Sequence, residues 1–423
     1  MSPSYERSRA PKAALVAIVL CSAFASVVIA WKTPAWESND EPDHVRNVET
    51  LVRGRWYRIE KNAGYSPHQP PLYYLMLAGW QKALRMKAEL PHPQQGDAVV
   101  ANGQFGHAQP REAHDHRRLL LLRLPSVVLG ALTILFTART ARALGADPWM
   151  ETAAAATVAT IPKFVFSASF VNNDVLATTL GALATLLVVR LWRNNSVSRR
   201  LAIGLGLTCG ALLETKLSAI PLVGVIGLAV IWRLRRAWRG VLAVAVPAAL
   251  VSAPLFVSNQ RRYGDPLAAK ASIDYFRSWI PALVAVPRTF DWFGKTVASG
   301  AATSFWYTSG WNQFRWQAKT YVPLWALSVA GGLGNIVRRR PRIPGNGLLC
   351  ALVLGAASSI WVLAYSTTQW QARVAFPGLT AFGALIALGW QKWRTPTWMA
   401  FMLPTLSAIG TLYAIKADVF GRY

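Results

Sequence analysis

The sequence predicts an all-α protein that crosses a membrane many times. Of its 423 residues, 53% are hydrophobic and 15% are charged, whereas about a quarter of the residues of an average soluble domain are charged. The hydrophobic residues form long runs, and a helix needs about 20 such residues to cross a hydrocarbon core. Short basic clusters separate the runs, as in the cytoplasmic loops of multi-pass proteins.

Eleven apolar runs are candidates for crossings, although the short pair between 201 and 233 allows another interpretation. They cover residues 13–30, 119–138, 150–170, 174–192, 201–217, 219–233, 240–258, 321–337, 347–365, 374–390 and 397–415. We therefore expect a single transmembrane domain of about 11 helices over residues 1–423.

The basic clusters predict the orientation of the chain. If the N-terminus is cytoplasmic, all six clusters fall on the cytoplasmic side. The clusters are Arg7/Arg9/Lys12, Arg139/Arg142, 190–200, 233–239, 338–342 and 391–394. We expect a multi-pass protein of the inner or plasma membrane. A cleaved signal peptide ending near Ala30 is the alternative for the first run, and it leaves the orientation of the other runs unchanged.

The net charge of +26 does not indicate nucleic-acid binding. The basic residues lie in clusters between apolar runs and do not form a basic face with interleaved aromatic residues. The partners that we expect are the lipid bilayer and molecules on its outer side, with no nucleic acid.

Two long segments face the outside in this topology, residues 31–118 and 259–320. All six histidines and the densest acidic cluster lie in the first of them. Long loops in compact proteins usually carry function. We therefore expect an extracytoplasmic active site on interfacial helices of the segment 31–118.

The acidic cluster in "ESNDEPDHVRN", residues 37–47, has two interpretations. Asp40 and Glu41 can cap a helix whose first residue is Pro42, because carboxylates are favoured at helix N-termini. Alternatively, one of these carboxylates is a general base at the membrane surface, with His44 nearby.

A second motif, "SPHQPPLYYLMLAGWQKAL", predicts an amphipathic helix that begins at Leu72 after two prolines. Its apolar part is too short for a crossing, so we expect it to lie at the membrane surface. His68 would lie at the water–lipid boundary, either solvated or binding a ligand. Tyr73 is a further candidate for the site.

Polar residues also interrupt the outer ends of three predicted crossings. They are Asn172, Asn173 and Asp174; Glu214 and Lys216; and Gln371 and Arg373. An ionisable residue in a membrane segment is costly and therefore indicates function. Lys216 and Arg373 suit a phosphate group. The alternative is a buried ion pair, for example between Lys216 and Glu214.

In this order and on this membrane side, the motifs resemble those of GT-C glycosyltransferases. Among them, the chain resembles bacterial relatives of protein O-mannosyltransferases and of lipid A aminoarabinose transferases, over residues 31 to about 380. Two departures are Gln69, inserted into the usual His-Pro-Pro, and "QARV" (371–374), where Ala372 and Val374 replace Gly and Tyr.

The resemblance implies a GT-C bundle and an inverting transfer of a hexosyl or pentosyl group from a polyprenyl-phosphate-linked sugar. The acceptor would be an extracytoplasmic glycan, lipid or protein. Asp40, with Glu41 beside it, would supply the catalytic base. His68, Lys216, Gln371 and Arg373 would bind the donor and its phosphate. His44, Tyr73, Asn173 and Asp174 are further site candidates.

No cofactor is firmly predicted. A divalent metal is an option, since the acidic cluster and nearby histidines supply oxygen and nitrogen ligands, but without a firm ligand spacing. The alternative function is a lipid-linked-sugar flippase or a solute transporter. That function would require ionisable residues near the bilayer midplane and, often, internal symmetry, and neither is evident.

Overall fold

A computed structural model describes most of the chain. The described residues are 3–33, 38, 40–59, 68–87, 113–194, 198–279, 289–309, 314–337, 345–367 and 369–420. The predicted outer segments 31–118 and 259–320 therefore lie partly outside the described residues.

The described chain is helical. Its first half contains α1 (Pro3–Lys32), α2 (Glu41–Val52), α3 (Leu72–Ala83), α4 (Ala113–Ala143), α5 (Pro148–Ala159), α6 (Pro162–Ser167), α7 (Asn173–Arg193), α8 (Arg199–Leu213), a 3₁₀ turn (Leu217–Ala219) and α9 (Ile220–Leu234). Next come α10 (Trp238–Tyr263), α11 (Ala269–Trp279), α12 (Phe290–Trp292), a π-helical turn (Phe293–Ala298) and α13 (Ser299–Trp306). The remainder contains α14 (Ala318–Val337), α15 (Asn346–Thr367), a 3₁₀ segment (Ala372–Gly378), α16 (Leu379–Trp393), a 3₁₀ turn (Thr397–Phe401), α17 (Met402–Ile415) and a π-helical end (Lys416–Phe420). In the described residues the strands are limited to an antiparallel pair of two-residue strands, β1 (Thr308–Ser309) and β2 (Phe314–Arg315).

The prediction of an all-α membrane bundle is confirmed, but the count of eleven crossings is not. Eight helical segments among the described residues are long and apolar enough to cross a membrane. The other three predicted crossings correspond to the pair α5–α6, to α8 and to α14. Pro162 divides α5 from α6, since the residue before a proline avoids the helical conformation. Helix α8 has 15 residues and is about 22 Å long, shorter than the hydrocarbon core.

Two helices form the centre of the bundle. They are α7 and the segment Ala372–Trp393, which contains α16. Within the apolar part of each, 72% and 78% of the residues are buried, whereas only 11% are buried in the apolar part of α10. Gly181 of α7 allows close packing, because a Cβ there would lie 2.6 Å from the Cα of Pro377. This contact fixes the 3₁₀ segment, which carries Arg373, against the helix that carries Asp174.

The helices α2 and α3 form a cap over one end of the bundle. Helix α3 begins at Leu72, as predicted, whereas α2 begins at Glu41, one residue before the predicted start at Pro42. One face of α3 is buried through Tyr73, Tyr74 and Leu77, which pack in one cluster with residues of α2, α4 and α7. Leu75 and Trp80 stay exposed, so the predicted amphipathic pattern is present with its buried face against protein.

Candidate active site

A cavity of about 600 Å³ lies where α2, α7, α11 and α15 meet the loops around residues 68, 216 and 371. One side of the cavity is polar and charged. The polar and charged lining residues include Asp40, His44, His68, Gln69, Asn173, Asp174, Lys216, Ser218, Ser359, Gln371 and Arg373. The other side is apolar and includes Leu217, Ile220, Pro221, Ile273, Phe276, Val362 and Leu363. The cavity therefore brings together eight of the ten residues that the sequence predicts for the site, all except Glu41 and Tyr73.

Four charged side chains in this cavity form an alternating chain. Arg373 donates a hydrogen bond to Oδ2 of Asp40, and its Nε lies 3.5 Å from Oδ2 of Asp174. Lys216 donates to Oδ1 of the same Asp174. Of the two carboxylates, Asp40 keeps 28% of its side-chain surface exposed and Asp174 only 3%. Asp40 is therefore the carboxylate that a substrate can reach, and Asp174 holds the two cations in place.

The backbone of Asp40 adopts an uncommon conformation. Its φ of 61° and ψ of −2° are left-handed, a conformation that Asp and Asn tolerate better than other residues with a Cβ. Asp40 precedes α2 as its N-cap residue, and its carbonyl accepts the His44 N–H over 3.1 Å. Burial raises the pKa of the Asp40 carboxyl, but the Arg373 guanidinium opposes this and holds that pKa below its usual range. Asp40 is thus an ionised carboxylate at neutral pH.

His44 lies one helical turn after Asp40. Its Nδ1 shares a 2.7 Å hydrogen bond with the hydroxyl of Tyr74, and the two rings stack at 5.8 Å. Burial lowers the pKa of His44 to about 4, so the ring is neutral at neutral pH. His44 therefore ties α2 to α3 without adding charge to the cavity.

His68, Gln69 and Asn173 are connected by hydrogen bonds. The Asn173 side-chain amide donates to Oε1 of Gln69 over 2.8 Å and to the Thr215 carbonyl over 3.0 Å. The Gln69 amide lies 2.9 Å from Nε2 of His68. Gln69, the residue inserted into the motif, therefore connects His68 to the start of α7.

Burial, followed by the charge of Lys216, lowers the pKa of His68 to about 4. If Nε2 of this neutral ring accepts from the Gln69 amide, Nδ1 carries the proton. Nδ1 has no hydrogen-bond partner among the described residues. His68 can therefore offer one N–H to a ligand.

Further buried polar atoms around the cavity lack a partner within the described part of the chain. They are Oδ1 of Asn173, Oε1 of Gln371 and the hydroxyl oxygens of Ser218 and Ser359. Buried polar atoms are nearly always hydrogen-bonded, so unpaired ones in a cavity indicate a polar ligand.

Glu41 does not line the cavity. Its carboxylate is fully buried and receives two hydrogen bonds from Arg123, of 2.9 Å and 2.6 Å. The Val171 N–H donates to the same carboxylate over 3.0 Å. Arg123 also donates to the carbonyls of Ala30 and Thr33. This pair joins the end of α1 to α2, α4 and the turn before α7, so Glu41 positions Asp40 and does not itself reach a substrate.

Tyr73 also lies outside the cavity. Its hydroxyl pairs with the Ser126 hydroxyl at 3.1 Å and accepts the Asn172 N–H at 3.0 Å. Burial raises the pKa of Tyr73. Tyr73 supports the turn that precedes Asn173. Lys216 does form a buried ion pair, the alternative to a ligand-binding role, but its partner is Asp174. The suggested partner Glu214 instead accepts the Leu255 N–H.

The sequence did not lead us to expect the buried ion pair of Arg123 with Glu41, nor that Asp174 binds both Lys216 and Arg373. Arg123 is a charged residue within the predicted crossing 119–138, and the rule that marks intramembrane charges as significant would have found it.

For the metal option, the described residues contain no group of three His, Cys, Asp or Glu that could hold an ion. The two cavity carboxylates instead bind cationic side chains.

Comparisons with known proteins agree with this fold. Residues 101–299 match the family model described as dolichyl-phosphate-mannose-protein mannosyltransferase (PMT). The structure of ArnT from Cupriavidus metallidurans bound to undecaprenyl phosphate is 16% identical, with a TM-score of 0.53 over 90% of this chain and 60% of that chain. No curated protein matches the sequence.

Two other solved structures are similar to a lesser degree. The S. cerevisiae protein O-mannosyltransferase Pmt1-Pmt2 complex bound to the sugar donor has a TM-score of 0.41 and 19% identity, over 64% of this chain and 34% of that chain. The Archaeoglobus fulgidus oligosaccharyltransferase has a TM-score of 0.49 and 12% identity, over 96% of this chain and 54% of that chain.

The fold and the family match together define a multi-pass membrane protein with the GT-C fold. Within that class, residues 101–299 are similar to the PMT family, in agreement with the resemblance seen in the sequence. It spans about 60% of the length of the ArnT structure that it matches.

Proposed function

We propose that this protein is a glycosyltransferase that transfers a sugar from a polyprenyl-phosphate donor to an acceptor outside the cytoplasm. The observation that carries the proposal is the composition of one cavity. It combines a reachable carboxylate, Asp40, with two cations, Lys216 and Arg373, and an apolar wall. A lipid-linked, phosphate-bearing sugar and an attacking hydroxyl require these three features together.

The donor phosphate would bind between Lys216 and Arg373. Arginine suits phosphate because its planar guanidinium donates two parallel hydrogen bonds. The prenyl chain would lie along the apolar wall, where Ile220, Phe276 and Val362 face the cavity. The similar ArnT structure contains undecaprenyl phosphate, which supports this class of donor.

The sugar would occupy the polar side of the cavity. Its hydroxyl groups can donate to the unpaired oxygens of Asn173, Gln371 and Ser218, and can accept from Nδ1 of His68. A site built to hydrogen-bond hydroxyl groups discriminates strongly against analogues that lack them, because its polar atoms then stay unpaired.

The reaction would be a single inverting displacement. Asp40 accepts the proton of the acceptor hydroxyl while that oxygen forms a bond to the anomeric carbon. The bond from this carbon to the phosphate oxygen breaks, and its electron pair stays on the phosphate. Lys216 and Arg373 stabilise the charge that develops there. Arg373 must exchange its bond with Asp40 for one with the phosphate, so donor binding frees the base.

Substituting Asp40 with Asn tests the proposed base. Asn keeps the shape and tolerates the left-handed backbone, but it cannot accept the proton. We expect Asp40→Asn to fold, to bind undecaprenyl phosphate and to lose sugar transfer by a factor of about 10² or more. The readout is mass spectrometry of envelope glycans and lipid-linked sugars in a deletion strain that carries each variant.

The control is Asp274→Asn, which removes an exposed carboxylate on α11 outside the cavity. It should behave as the unmodified protein. Transfer at the normal rate by Asp40→Asn contradicts the role of Asp40. A deletion strain whose lipid-linked sugar accumulates on the cytoplasmic leaflet indicates a transporter, whereas unspent donor on the outer leaflet supports a transferase.

Substitution of the cations tests the phosphate site separately. Lys216→Ala and Arg373→Ala should each weaken the binding of undecaprenyl phosphate about tenfold or more, since each removes a charge-assisted hydrogen bond. Unchanged affinity in both variants contradicts the proposed phosphate site.

A further inference from the structure

A second, larger cavity lies at the opposite end of helices α7 to α10. Its volume is about 1300 Å³. Helix α9 begins at Ile220, beside the candidate active site, and ends at Leu234, which lines the second cavity. Fifteen helical residues, about 22 Å, separate the two cavities. The second cavity belongs to the end of the bundle that the positive-inside rule assigns to the cytoplasm.

The second cavity is strongly cationic. Five arginines and no acidic residue line it: Arg199, Arg233, Arg235, Arg236 and Arg239. The sequence has no acidic residue between Asp174 and Glu214, nor between Glu214 and Asp265. Within the described residues, Arg199 and Arg236 have no hydrogen-bond or ion-pair partner. No acidic side chain among the described lining residues therefore balances the positive charge of this cavity.

Arg233 has a different role from the others. It donates to the backbone carbonyls of Trp192 over 3.1 Å and of Asn194 over 2.8 Å. These bonds join the ends of α7 and α9 and shape one wall of the cavity. Arg199 and Arg236 make no such hydrogen bonds to the described residues, so they are the cations available to a ligand.

Below the arginines the cavity has an apolar wall. It consists of Ala202, Ile203, Leu242, Ala243, Val246 and Pro247 on α8 and α10. A Cβ on Gly206 would clash with the backbone at Val244, so α8 and α10 pack in direct backbone contact next to this wall.

Two tryptophans flank the arginines at the surface of the protein. Trp232 and Trp238 are both exposed and line the cavity. Arg235 stacks over the ring of Trp232 at 5.2 Å, and Arg239 over that of Trp238 at 5.7 Å. Tryptophan prefers the level of the lipid headgroups. The cavity thus combines cations and tryptophans, which suit a phospholipid headgroup, with an apolar wall, which suits acyl chains.

We infer that this cavity binds an anionic phospholipid, with its phosphate at Arg199 and Arg236 and its acyl chains along α8 and α10. Basic pockets between membrane helices on the cytoplasmic side suit such headgroups. The positive-inside rule explains why a cytoplasmic loop contains arginines. It does not explain why these arginines line a cavity that also has an apolar wall. A free phosphate ion would use the arginines and leave the wall uncovered.

The test uses purified full-length protein in neutral detergent and three probes. They are dioctanoyl phosphatidylglycerol, dioctanoyl phosphatidylcholine and inorganic phosphate. We expect only phosphatidylglycerol to raise the unfolding temperature in a saturable manner. The double substitution Arg199→Gln with Arg236→Gln should weaken this binding about tenfold or more.

The matched control is Arg139→Gln with Arg190→Gln, which removes the same charge from exposed arginines outside the cavity. It should keep the affinity for phosphatidylglycerol. Equal loss of affinity in both double variants, an equal effect of phosphatidylcholine, or an equal effect of inorganic phosphate each overturns the inference.

Photo-crosslinking keeps the inference testable if the double variant does not fold. A photoactivatable phosphatidylglycerol should label unmodified protein within residues 199–203 or 232–247. Labelling that is confined to other helices overturns the inference.

Discussion

At the scale of single residues, the central feature is Arg373, which lies between Asp40 and Asp174. Its charge keeps Asp40 ionised despite burial, because it lowers the pKa of that carboxyl. The base that we propose, Asp40, acts only when it is deprotonated, so activity should fall as the pH drops through the pKa of this carboxyl.

Replacing Arg373 with Gln removes the charge that depresses this pKa. The pKa of Asp40 should therefore rise, and the acidic limb of the pH profile of kcat/KM should move to higher pH. The rate should be measured from pH 4 to pH 8 with each variant. Arg277→Gln, which alters an exposed ion pair, is the control and should leave the limb in place. An unmoved limb in Arg373→Gln would contradict the assignment of Asp40 as the base.

Glu41 and Arg123 give a contrasting residue-level prediction. Both side chains are fully buried and bind each other through two hydrogen bonds. Removing one partner of a buried ion pair costs about 3–5 kcal/mol, because the other charge stays buried without compensation. Glu41→Gln should therefore lower the unfolding temperature strongly, whereas Asp274→Asn at an exposed pair should change it little.

Measuring both the unfolding temperature and the sugar transfer of Glu41→Gln distinguishes a structural role of Glu41 from a catalytic one. If Glu41→Gln unfolds at the normal temperature and yet loses transfer, Glu41 is a catalytic group and our structural role for it is wrong. Loss of stability with retained activity in the folded fraction supports the structural role.

The sequence allowed the charged residues to be identified, but not all of their partners. Lys216 and Arg373 stand out because they are cations at predicted outer ends of crossings, and the cavity does contain both. Asp40 and Glu41 have different environments because Asp40, the N-cap residue before α2, has a left-handed backbone conformation. One sequence does not predict that backbone conformation, so adjacent carboxylates could not be assigned to opposite environments.

At the scale of helices, the position of Arg373 depends on the contact between α7 and the 3₁₀ segment. Gly181 has no room for a Cβ, which would meet the backbone of Pro377. Gly181→Ala should cost about 1–3 kcal/mol by overpacking and should displace the segment that carries Arg373. We expect a lower unfolding temperature together with weaker binding of undecaprenyl phosphate.

Gly224→Ala in α9 is the matched control. A Cβ at Gly224 meets no atom within 4 Å, and alanine favours a helix over glycine by about 1 kcal/mol. This variant should unfold at the same or a slightly higher temperature. Equal effects of the two substitutions would mean that close packing at Gly181 does not position Arg373.

The helices themselves were largely predictable, since hydrophobic runs and prolines determine them locally. Leu72 begins α3 after two prolines, and Pro162 divides a predicted crossing. The packing of α3 was less predictable. An exposed Trp80 and a buried Tyr74 follow the same amphipathic pattern, and the pattern does not say whether lipid or protein covers the apolar face.

At the scale of the whole molecule, the positive-inside pattern makes a testable statement about orientation. Helix α10 separates the basic residues before Trp238 from the outer segment after Tyr263. Alkaline phosphatase is active only outside the cytoplasm. Fused after Arg236 it should therefore be inactive, and fused after Gly264 it should be active. The reverse result would invert the topology, and equal activities would mean that α10 does not cross the membrane.

The alternating chain of Asp40, Arg373, Asp174 and Lys216 has a consequence for turnover. The two negative and two positive charges of these four side chains cancel each other. In the proposed reaction the spent carrier ends in a phosphate monoester, which bears up to two negative charges at neutral pH. A pair of unopposed cations would retain such a dianion as an inhibitor. Here the carboxylates compete for the same cations, and this competition favours departure of the spent carrier and readiness for another cycle.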